Sequence, residues 1–233
     1  MNSIQYLSQF NLLHNLSLED LVEMDQMTSI TTLPKNTFIQ TPDTFSFGLY
    51  FVKKGKVRLY KLNADGKQFT LDILSEGNVF GEMDMISLGT RDMYIETIEE
   101  CDICRMDKDR FEHFLIQHPR FMMNMIKVLS DRISGMSSLA QHLALGNLQD
   151  KILYVLQKLS DQFTLQSHGE YYKIDFPLSH QEIANLVGAT RETVTTALQG
   201  LVKEKIIKTG FKTIYIHQDK LSSILKISLR RTP

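Results

Sequence analysis

Residues 178–208 have the sequence LSHQEIANLVGATRETVTTALQGLVKEKIIK and carry the most informative pattern in the chain. Ser179, followed three residues later by Glu182, is typical of a capping box and predicts the start of a short helix. Gly188 predicts the end of that helix, and Thr190 predicts the cap of a second one. Two short helices joined by a tight turn that contains glycine form a helix-turn-helix.

The segment downstream predicts a two-stranded wing. Residues 206–208 and 213–216 are strand-like and flank Gly210, where we expect the chain to turn. Residues 146–233 carry 12 Lys and Arg against 8 Asp and Glu, whereas the first 145 residues are net acidic. This asymmetry favours a separate, mildly basic C-terminal module that contacts phosphate.

Upstream, from about residue 30 to residue 106, short apolar stretches alternate with turn signals such as Asp65-Gly66. Turns that recur about every ten residues between short strands predict an all-β barrel or sandwich. The predicted strands are residues 48–52, 57–62, 68–73, 94–98 and 100–106. Before them, residues 4–27 predict one or two short helices, with Ser17 at the start of a helix.

A long helix is predicted to begin at Pro119, because proline is favoured in the first turn. Its apolar residues are spaced alternately by four and three positions over three heptads, and they are Met122, Ile126, Leu129, Ile133, Met136, Ala140 and Leu143. A period of 3.5 residues favours a parallel partner helix and therefore a homodimer. The alternative is a helix that packs on its own domain. The break at Ala144-Leu145-Gly146-Asn147 predicts a domain boundary.

These motifs occur in the order found in the CRP/FNR family of transcription regulators, which the chain resembles over nearly its whole length. Residues 178–208 resemble the family's winged helix-turn-helix. Residues 49–68, LYFVKKGKVRLYKLNADGKQ, resemble its β-roll, and residues 76–91, EGNVFGEMDMISLGTR, resemble its ligand-binding cassette.

The resemblance implies an α+β fold with three parts. These are an N-terminal, jelly-roll-like β-roll sensor domain over residues 1–118, a dimerisation helix and hinge over 119–145, and a winged helix-turn-helix DNA-binding domain over 146–233. It also implies double-stranded DNA with a pseudo-palindromic operator as a partner, together with a second copy of the chain and RNA polymerase.

The second helix of the motif supplies the predicted base contacts. Arg191 is expected to donate two hydrogen bonds to guanine, and Glu192 to accept one from cytosine. Thr195 and Thr196 are expected to offer hydroxyls or a methyl group one turn later. In the resembled family the position of Thr196 is often arginine, so we expect a relaxed preference at the base it faces. The alternative for Arg191 and Glu192 is an exposed ion pair.

Phosphate contacts are predicted at polar and basic residues around the motif, namely Ser179, His180, Thr190, Lys203, Lys208 and Lys212. Such contacts position a protein on DNA without specifying sequence. The alternative for the lysines is a solvated run of charge.

The cassette predicts an effector site at Gly81, Glu82 and Arg91, which match the family's residues for the ribose and phosphate of cyclic AMP. Asp92 and Met93 stand where that pattern has Ser and Ala. A carboxylate beside the phosphate repels it and donates no hydrogen bond. We therefore expect another effector or none, and no cofactor.

Two further residues belong to the predicted effector site. On the long helix, Met136 and Ser137 align with the positions that meet the adenine, and a methionine offers no hydrogen bond there of the kind that a threonine gives.

Redox sensing is the other option that the resemblance implies, and it rests on Cys101 and Cys104. An iron–sulfur cluster needs about four cysteines, and the chain has two. On one strand, residues three apart face opposite sides, which excludes an intrachain disulfide without distortion. Two packed cysteines, an interchain bond and a thiol sensor remain open, and the seven histidines show no metal-ligand spacing.

Composition limits the remaining classes. With 42% hydrophobic and 23% charged residues, the chain is expected to be globular, and no apolar run reaches the ~18 residues that span a bilayer. No signal peptide or disulfide scaffold is evident, so we expect a cytoplasmic protein without membrane contact.

Two alternative functions compete with that of a regulator. The first is a cupin-like β-barrel enzyme, but its metal chemistry needs clustered histidines, and residues 30–106 contain none. Neither a P-loop nor a nucleophile elbow is present, so no enzyme is predicted. The second is a β-roll that binds only a partner protein, which the helix-turn-helix disfavours.

Overall fold

The computed structural model describes residues 13, 16–83, 86–106, 108–168 and 170–230. The chain forms two compact units, of which the first ends at Gly135 and the second begins at Met136. The boundary lies inside the long helix, seventeen residues after its start at Pro119. The predicted order of strands, long helix and winged helix-turn-helix is confirmed.

The first unit places eight strands between short helices. Its elements are α1 (Leu18–Met27), β1 (Thr28–Leu33), β2 (Phe38–Gln40), β3 (Gly48–Lys54), β4 (Lys56–Leu62), β5 (Gln68–Ser75), β6 (Val79–Glu82), β7 (Tyr94–Thr97), β8 (Cys101–Met106), α2 (Lys108–Gln117) and the start of α3 (Pro119–Leu145). The predicted cap at Ser17 is confirmed, since its hydroxyl accepts from the Asp20 amide and Asp20 accepts from the Ser17 amide. Residues 4–12 of the predicted N-terminal helices lie outside the described residues.

Two four-stranded antiparallel sheets form the roll, in the orders β1-β8-β3-β6 and β2-β7-β4-β5. One apolar cluster, here called the sheet core, consists mainly of aliphatic side chains from the strands, including Val52, Val57, Leu59 and Ile95. Alternate residues of β3 and β8 face a second cluster, because successive side chains of a strand point to opposite sides.

The second cluster, here called the helix-side core, joins the helices to the roll. Phe111, Phe114 and Phe121 are fully buried in it and meet edge to face. It also contains four methionines, Met24, Met83, Met106 and Met125. The helical layer is therefore held by aromatic and thioether side chains.

His118 connects α1 to the start of the long helix. Its Nδ1 lies 3.0 Å from an oxygen of Asp20, and its Nε2 lies 3.2 Å from an oxygen of Glu23. Its carbonyl accepts from the amides of Phe121 and Met122, which closes the first turn of α3. One residue thus caps α3 and anchors α1.

The second unit continues from α3 through α4 (Leu148–Phe163), β9 (Thr164–His168), β10 (Tyr171–Ile174), α5 (His180–Val187), α6 (Arg191–Lys203), β11 (Ile207–Gly210), β12 (Thr213–His217) and α7 (Gln218–Arg230). Its sheet has the order β11-β12-β10-β9. The core lies under the helix-turn-helix, where Ile183, Ala184, Val194 and Leu201 are fully buried. Ala184 lets the two helices approach, as its small side chain predicts.

Several elements were absent from the sequence prediction. The strand β1, with the sequence TSITTL, is exposed at four of six positions and lacks an alternating apolar pattern. Its partner is β8, about 70 residues away, and no local signal records that pairing. The short strands β2, β6 and β9 and the terminal helix α7 were missed as well.

Candidate functional site

The helix-turn-helix is built by caps at both of its helices. The hydroxyl of Ser179 accepts from the Glu182 amide at 3.1 Å and starts α5. Gly188 ends α5 with φ of +68°, in the left-handed region that glycine adopts without penalty. The hydroxyl of Thr190 then accepts from the Thr193 amide at 3.3 Å and starts α6. Both predicted caps are confirmed.

The first turns of α6 present three of the four predicted base-contacting residues to solvent. Arg191, Glu192 and Thr196 are exposed. Thr196 donates to the carbonyl of Glu192 at 3.2 Å, so its oxygen is turned along the helix while its lone pairs still accept. An exposed arginine and glutamate at consecutive positions offer both donors and acceptors to the edges of base pairs.

Thr195 differs from the other three because it is half-buried and its hydroxyl bonds to two partners within the protein. It donates to the carbonyl of Arg191 at 2.8 Å. The Nδ1 of His180 lies 2.8 Å from the same oxygen, and it must donate because the hydroxyl hydrogen is already used. This bond fixes the start of α5 against α6 and leaves the hydroxyl of Thr195 with one unused lone pair beside its methyl group.

The predicted phosphate contacts fall into three groups. Lys203 and Lys212 are exposed. Lys208 is exposed as well, but its ammonium lies 3.9 Å from the ring centroid of Tyr171, a cation–π contact that holds it against β10. Ser179, Thr190 and His180 carry the caps and the interhelical bond described above.

The cassette in the first unit is organised around Thr90, a residue that the sequence analysis did not single out. Thr90 is fully buried, and its hydroxyl donates to Oε1 of Glu82 at 3.0 Å. The same hydroxyl accepts from the Gly81 amide at 3.1 Å, and the Thr90 amide also donates to Glu82. Glu82 is thus buried and bound by the turn that follows it.

Gly81 is required by its surroundings. Its φ is +117°, and a Cβ added there would lie 2.2 Å from the carbonyl oxygen of Gly48 on the neighbouring strand. Only glycine allows β3 and β6 to approach so closely. In the sequence, this close approach is marked only by the Gly81-Glu82 pair at the end of β6.

Arg91 and its neighbour are arranged differently from Glu82. Arg91 is exposed, and its guanidinium carbon lies 5.3 Å from the ring centroid of Phe45. Asp92 is exposed as well, and Met93 is buried in the sheet core. Of the remaining candidates, Met136 and Ser137 lie in the second unit and are exposed on α3.

Arg132, on α3, is a charged residue of the first unit that sequence reasoning missed. Burial lowers the pKa of this guanidinium, while the nearby carboxylates of Asp72 and Glu82 raise it. Arg132 is half-buried and lies close enough to Asp72 and Glu82 to interact with both carboxylates. The sequence shows only a basic residue next to Ile133 of the apolar pattern, and the helix carries other basic residues at Arg120 and Lys127.

The two cysteines lie in different cores. Cys101 packs in the sheet core and Cys104 in the helix-side core, and both are free thiols. Burial raises the pKa of Cys101, and it raises the pKa of Cys104 to about 11. Both thiols are held in their protonated, unreactive form near neutral pH.

Two searches of the described residues bear on other functions. They contain no group of three or more histidine, cysteine or acidic side chains arranged to hold a metal ion. Within the same residues, none of the helices has the length and apolar character needed to cross a bilayer.

A β-roll followed by a long helix and a winged helix-turn-helix defines a class of regulators that couple a sensor-type domain to a DNA-binding domain. The family model described as "Cyclic nucleotide-binding domain" matches residues 30–118, and the one described as "Crp-like helix-turn-helix domain" matches residues 150–222. The chain belongs to the CRP/FNR family of transcription regulators, and it is a DNA-binding regulator rather than an enzyme.

Curated relatives agree with this assignment. The "Cyclic AMP receptor protein" of Thermus thermophilus is 27% identical over 173 residues, which cover 74% of this chain and 76% of that protein. The "Global nitrogen regulator" of Nostoc is 28% identical over 191 residues, covering 81% and 85%. The "Probable transcriptional regulator flp" of Lacticaseibacillus casei is 23% identical over 205 residues, covering 88% and 90%.

Solved structures share the fold. A CooA variant from Carboxydothermus hydrogenoformans superimposes with a TM-score of 0.73 at 26% identity, covering 86% of this chain and 88% of that one. The c-di-GMP-responsive regulator CLP of Xanthomonas campestris gives a TM-score of 0.75 at 23% identity, covering 86% and 99%. The second likeness supports the fold alone.

Proposed function

We propose that the chain is a homodimeric regulator that binds a pseudo-palindromic operator through the first turns of α6. Arg191 and Glu192 contact a G·C pair, the methyl of Thr195 packs on a thymine, and Thr196 leaves a relaxed preference at its base. The observation that supports this most is the exposed Arg191-Glu192 pair at the capped start of α6. The bond between His180 and Thr195 holds α5 against this helix. In helix-turn-helix proteins this end of the second helix contacts base edges.

The dimer is supported by the apolar face of α3. Four of the seven predicted interface side chains are large and lie exposed, from 42% for Met122 to 68% for Ile133. Leu129 packs partly against the helix-side core, so the face is shared between the roll and the proposed partner. Exposed residues at heptad spacing are stabilised when a second helix covers them.

A dimer also fits the operator. Two copies of α6 related by a twofold axis reach half-sites about one helical turn, ~34 Å, apart. Because several relatives are described as cAMP-activated global regulators, RNA polymerase is the partner proposed for the DNA-bound dimer.

The effector is proposed to differ from cyclic AMP, or to be absent. One oxygen of Glu82 already accepts two hydrogen bonds from Thr90, and Arg91 lies exposed against Phe45. The exposed carboxylate of Asp92 follows directly and opposes a phosphate by like charge. A calorimetric titration that gives micromolar binding of cyclic AMP would contradict this part.

Fluorescence anisotropy of the reduced, ligand-free dimer tests operator binding. The probe is a TGTGA-type palindromic duplex, and a scrambled duplex at the same near-physiological salt is the control. Arg191→Ala is expected to cost about 1–3 kcal/mol on the palindrome and to relax the preference at the contacted pair.

Lys203→Ala is the matched control variant, because Lys203 is an exposed basic residue at the other end of the same helix. It is expected to weaken both duplexes equally and to reduce the salt slope by about 0.9. If Arg191→Ala behaved like Lys203→Ala, Arg191 would be a phosphate contact and the proposed base contact would be wrong.

A further inference from the structure

The tip of the wing carries a large apolar side chain with no core to bury it. Phe211 lies in the turn between β11 and β12 and is 90% exposed, the highest value among the large hydrophobic residues that the structure describes. Burial of an aromatic ring against a partner is favourable through the hydrophobic effect. The isolated chain leaves that contribution unused.

The turn that presents Phe211 is held at several points. Lys212 adopts a left-handed backbone with φ of +50°, and its carbonyl accepts from the Leu178 amide at 3.0 Å. The Thr213 hydroxyl donates to the Phe211 carbonyl at 3.0 Å. The ring is therefore displayed on a fixed turn rather than at the end of a loose loop.

These bonds also place the wing tip beside the helix-turn-helix. Leu178 directly precedes Ser179, the cap of α5, so the start of α5 and the wing tip are neighbours in the second unit. We therefore expect a DNA backbone bound at the start of α5 to pass close to the wing tip.

The charges around Phe211 suit a phosphate backbone. The Lys212 ammonium lies 5.6 Å from the centre of the phenyl ring, and both side chains are exposed. An exposed cation next to an aromatic ring complements a DNA groove. The cation can pair with the anionic phosphates, and the ring can pack on the apolar sugars or base steps.

We propose that Phe211 is a DNA-contacting residue that packs against sugars and bases in the minor groove beside the half-site contacted by α6. Lys212 pairs with a phosphate on the groove wall, and the ring displaces water from the groove floor. The contact adds affinity and a preference for deformable flanking steps, which are the steps that an apolar side chain unstacks at least cost. This inference rests on the proposed operator binding.

The test uses the full-length protein and a duplex of about 40 base pairs that the wild type selects from a random pool, long enough for two half-sites and both flanks. One adenine in the flank is replaced by 2-aminopurine, whose fluorescence rises on unstacking. Three variants are compared with the wild type: Phe211→Ala, Phe211→Trp, which keeps an aromatic ring, and Lys212→Ala, which removes the neighbouring charge.

Phe211→Ala is expected to weaken binding about 5- to 50-fold, as loss of a base–aromatic contact does. Its salt slope stays unchanged, and its thermal stability matches the wild type because the ring is exposed. Phe211→Trp retains the affinity and the 2-aminopurine signal. Lys212→Ala keeps that signal and lowers the salt slope by about 0.9.

The outcomes separate the two levels of the proposal. Equal affinity and equal 2-aminopurine fluorescence for the wild type and Phe211→Ala would refute the minor-groove contact while operator binding stands. The same DNA binding combined with lost transcriptional activity would assign Phe211 to a protein partner and also refute it. A wild type with no preference over a scrambled duplex would refute operator binding, and the contact would fall with it.

Discussion

Replacing Thr90 by valine is the most informative perturbation of the β-roll, because it removes one hydroxyl and keeps the shape of the side chain. In the wild type that hydroxyl donates to Glu82 at 3.0 Å and accepts from the Gly81 amide at 3.1 Å. Thr90 is fully buried and Glu82 is 5% exposed. Water therefore cannot easily replace the lost partner.

The magnitude follows from the two groups that lose a partner. A buried polar group left without a hydrogen bond costs about 1–3 kcal/mol. The Gly81 amide loses the acceptor that the structure gives it, whereas Glu82 keeps the amide of Thr90. The expected loss in the free energy of unfolding is therefore about 2–4 kcal/mol. Thr90→Ser, which keeps the hydroxyl, is expected to lose much less.

Urea unfolding followed by circular dichroism measures this difference, with the free energy extrapolated linearly to water. Because the chain has two compact units, hydrogen exchange of the peptide over residues 79–93 locates the change. A Thr90→Val protein within about 0.5 kcal/mol of the wild type, with unchanged exchange in that peptide, would refute the proposed role of the hydroxyl. A Thr90→Ser protein as unstable as Thr90→Val would refute it as well.

Three further predictions concern the cores and the helix face. Since burial raises the pKa of Cys104 from 9.0 to about 11, native thiol labelling at pH 8 is expected to be at least ~100-fold slower than in urea, and rapid native labelling would contradict the burial. The stability linked to this thiol is present below pH 9 and is lost as pH rises through about 11. Cys104→Val is expected to reduce this alkaline loss without abolishing it, because burial also raises the pKa of Cys101. Ile133→Asp is expected to convert the proposed dimer to a monomer, as measured by light scattering. Ser134→Asp, which changes an exposed neighbour outside the heptad positions, is expected to remain dimeric. If both variants were dimeric, the proposed interface would be refuted. Gly81→Ala is expected to lower the free energy of unfolding in urea by more than ~3 kcal/mol, because its Cβ would lie 2.2 Å from a carbonyl oxygen. Gly135→Ala has open space around the added Cβ and is expected to raise that free energy by up to ~1 kcal/mol. Similar effects of the two changes would contradict the close approach of β3 and β6.

The parts of the fold that the sequence predicted are those with local causes. Ser179, Gly188 and Thr190 act within one turn of their own helices, so their residue types suffice to predict the helix-turn-helix. The hairpin of β4 and β5 follows from the Asp65-Gly66 turn, where Gly66 has φ of +74°. By contrast, β1 is polar and pairs with a strand about 70 residues away, so nothing near it in sequence marks it.

The candidate site likewise has features that the sequence predicts and features that depend on packing. Glu192 and Thr196 are exposed because the period of α6 places them opposite buried Val194 and Leu198, a pattern that the sequence already contains. Arg191 lies nearer the buried side and is exposed at the first position of the helix. The bond between His180 and Thr195 joins side chains fifteen residues apart on different helices. That contact, like the bond from Thr90 to Glu82, depends on how elements pack and not on local propensity.

Thioether side chains are unevenly divided between the two cores of the β-roll, with four methionines in the helix-side core and one, Met93, in the sheet core. Methionine has three rotatable bonds and fills irregular gaps, whereas branched aliphatic side chains accept few arrangements. The roll is thus stiff where strands meet strands and compliant where helices rest on it. Small displacements of the helices are cheap, while the same displacement of a strand would break its register. A Met-to-Leu series at these four positions is expected to make the contact between the helices and the roll more rigid without altering the fold.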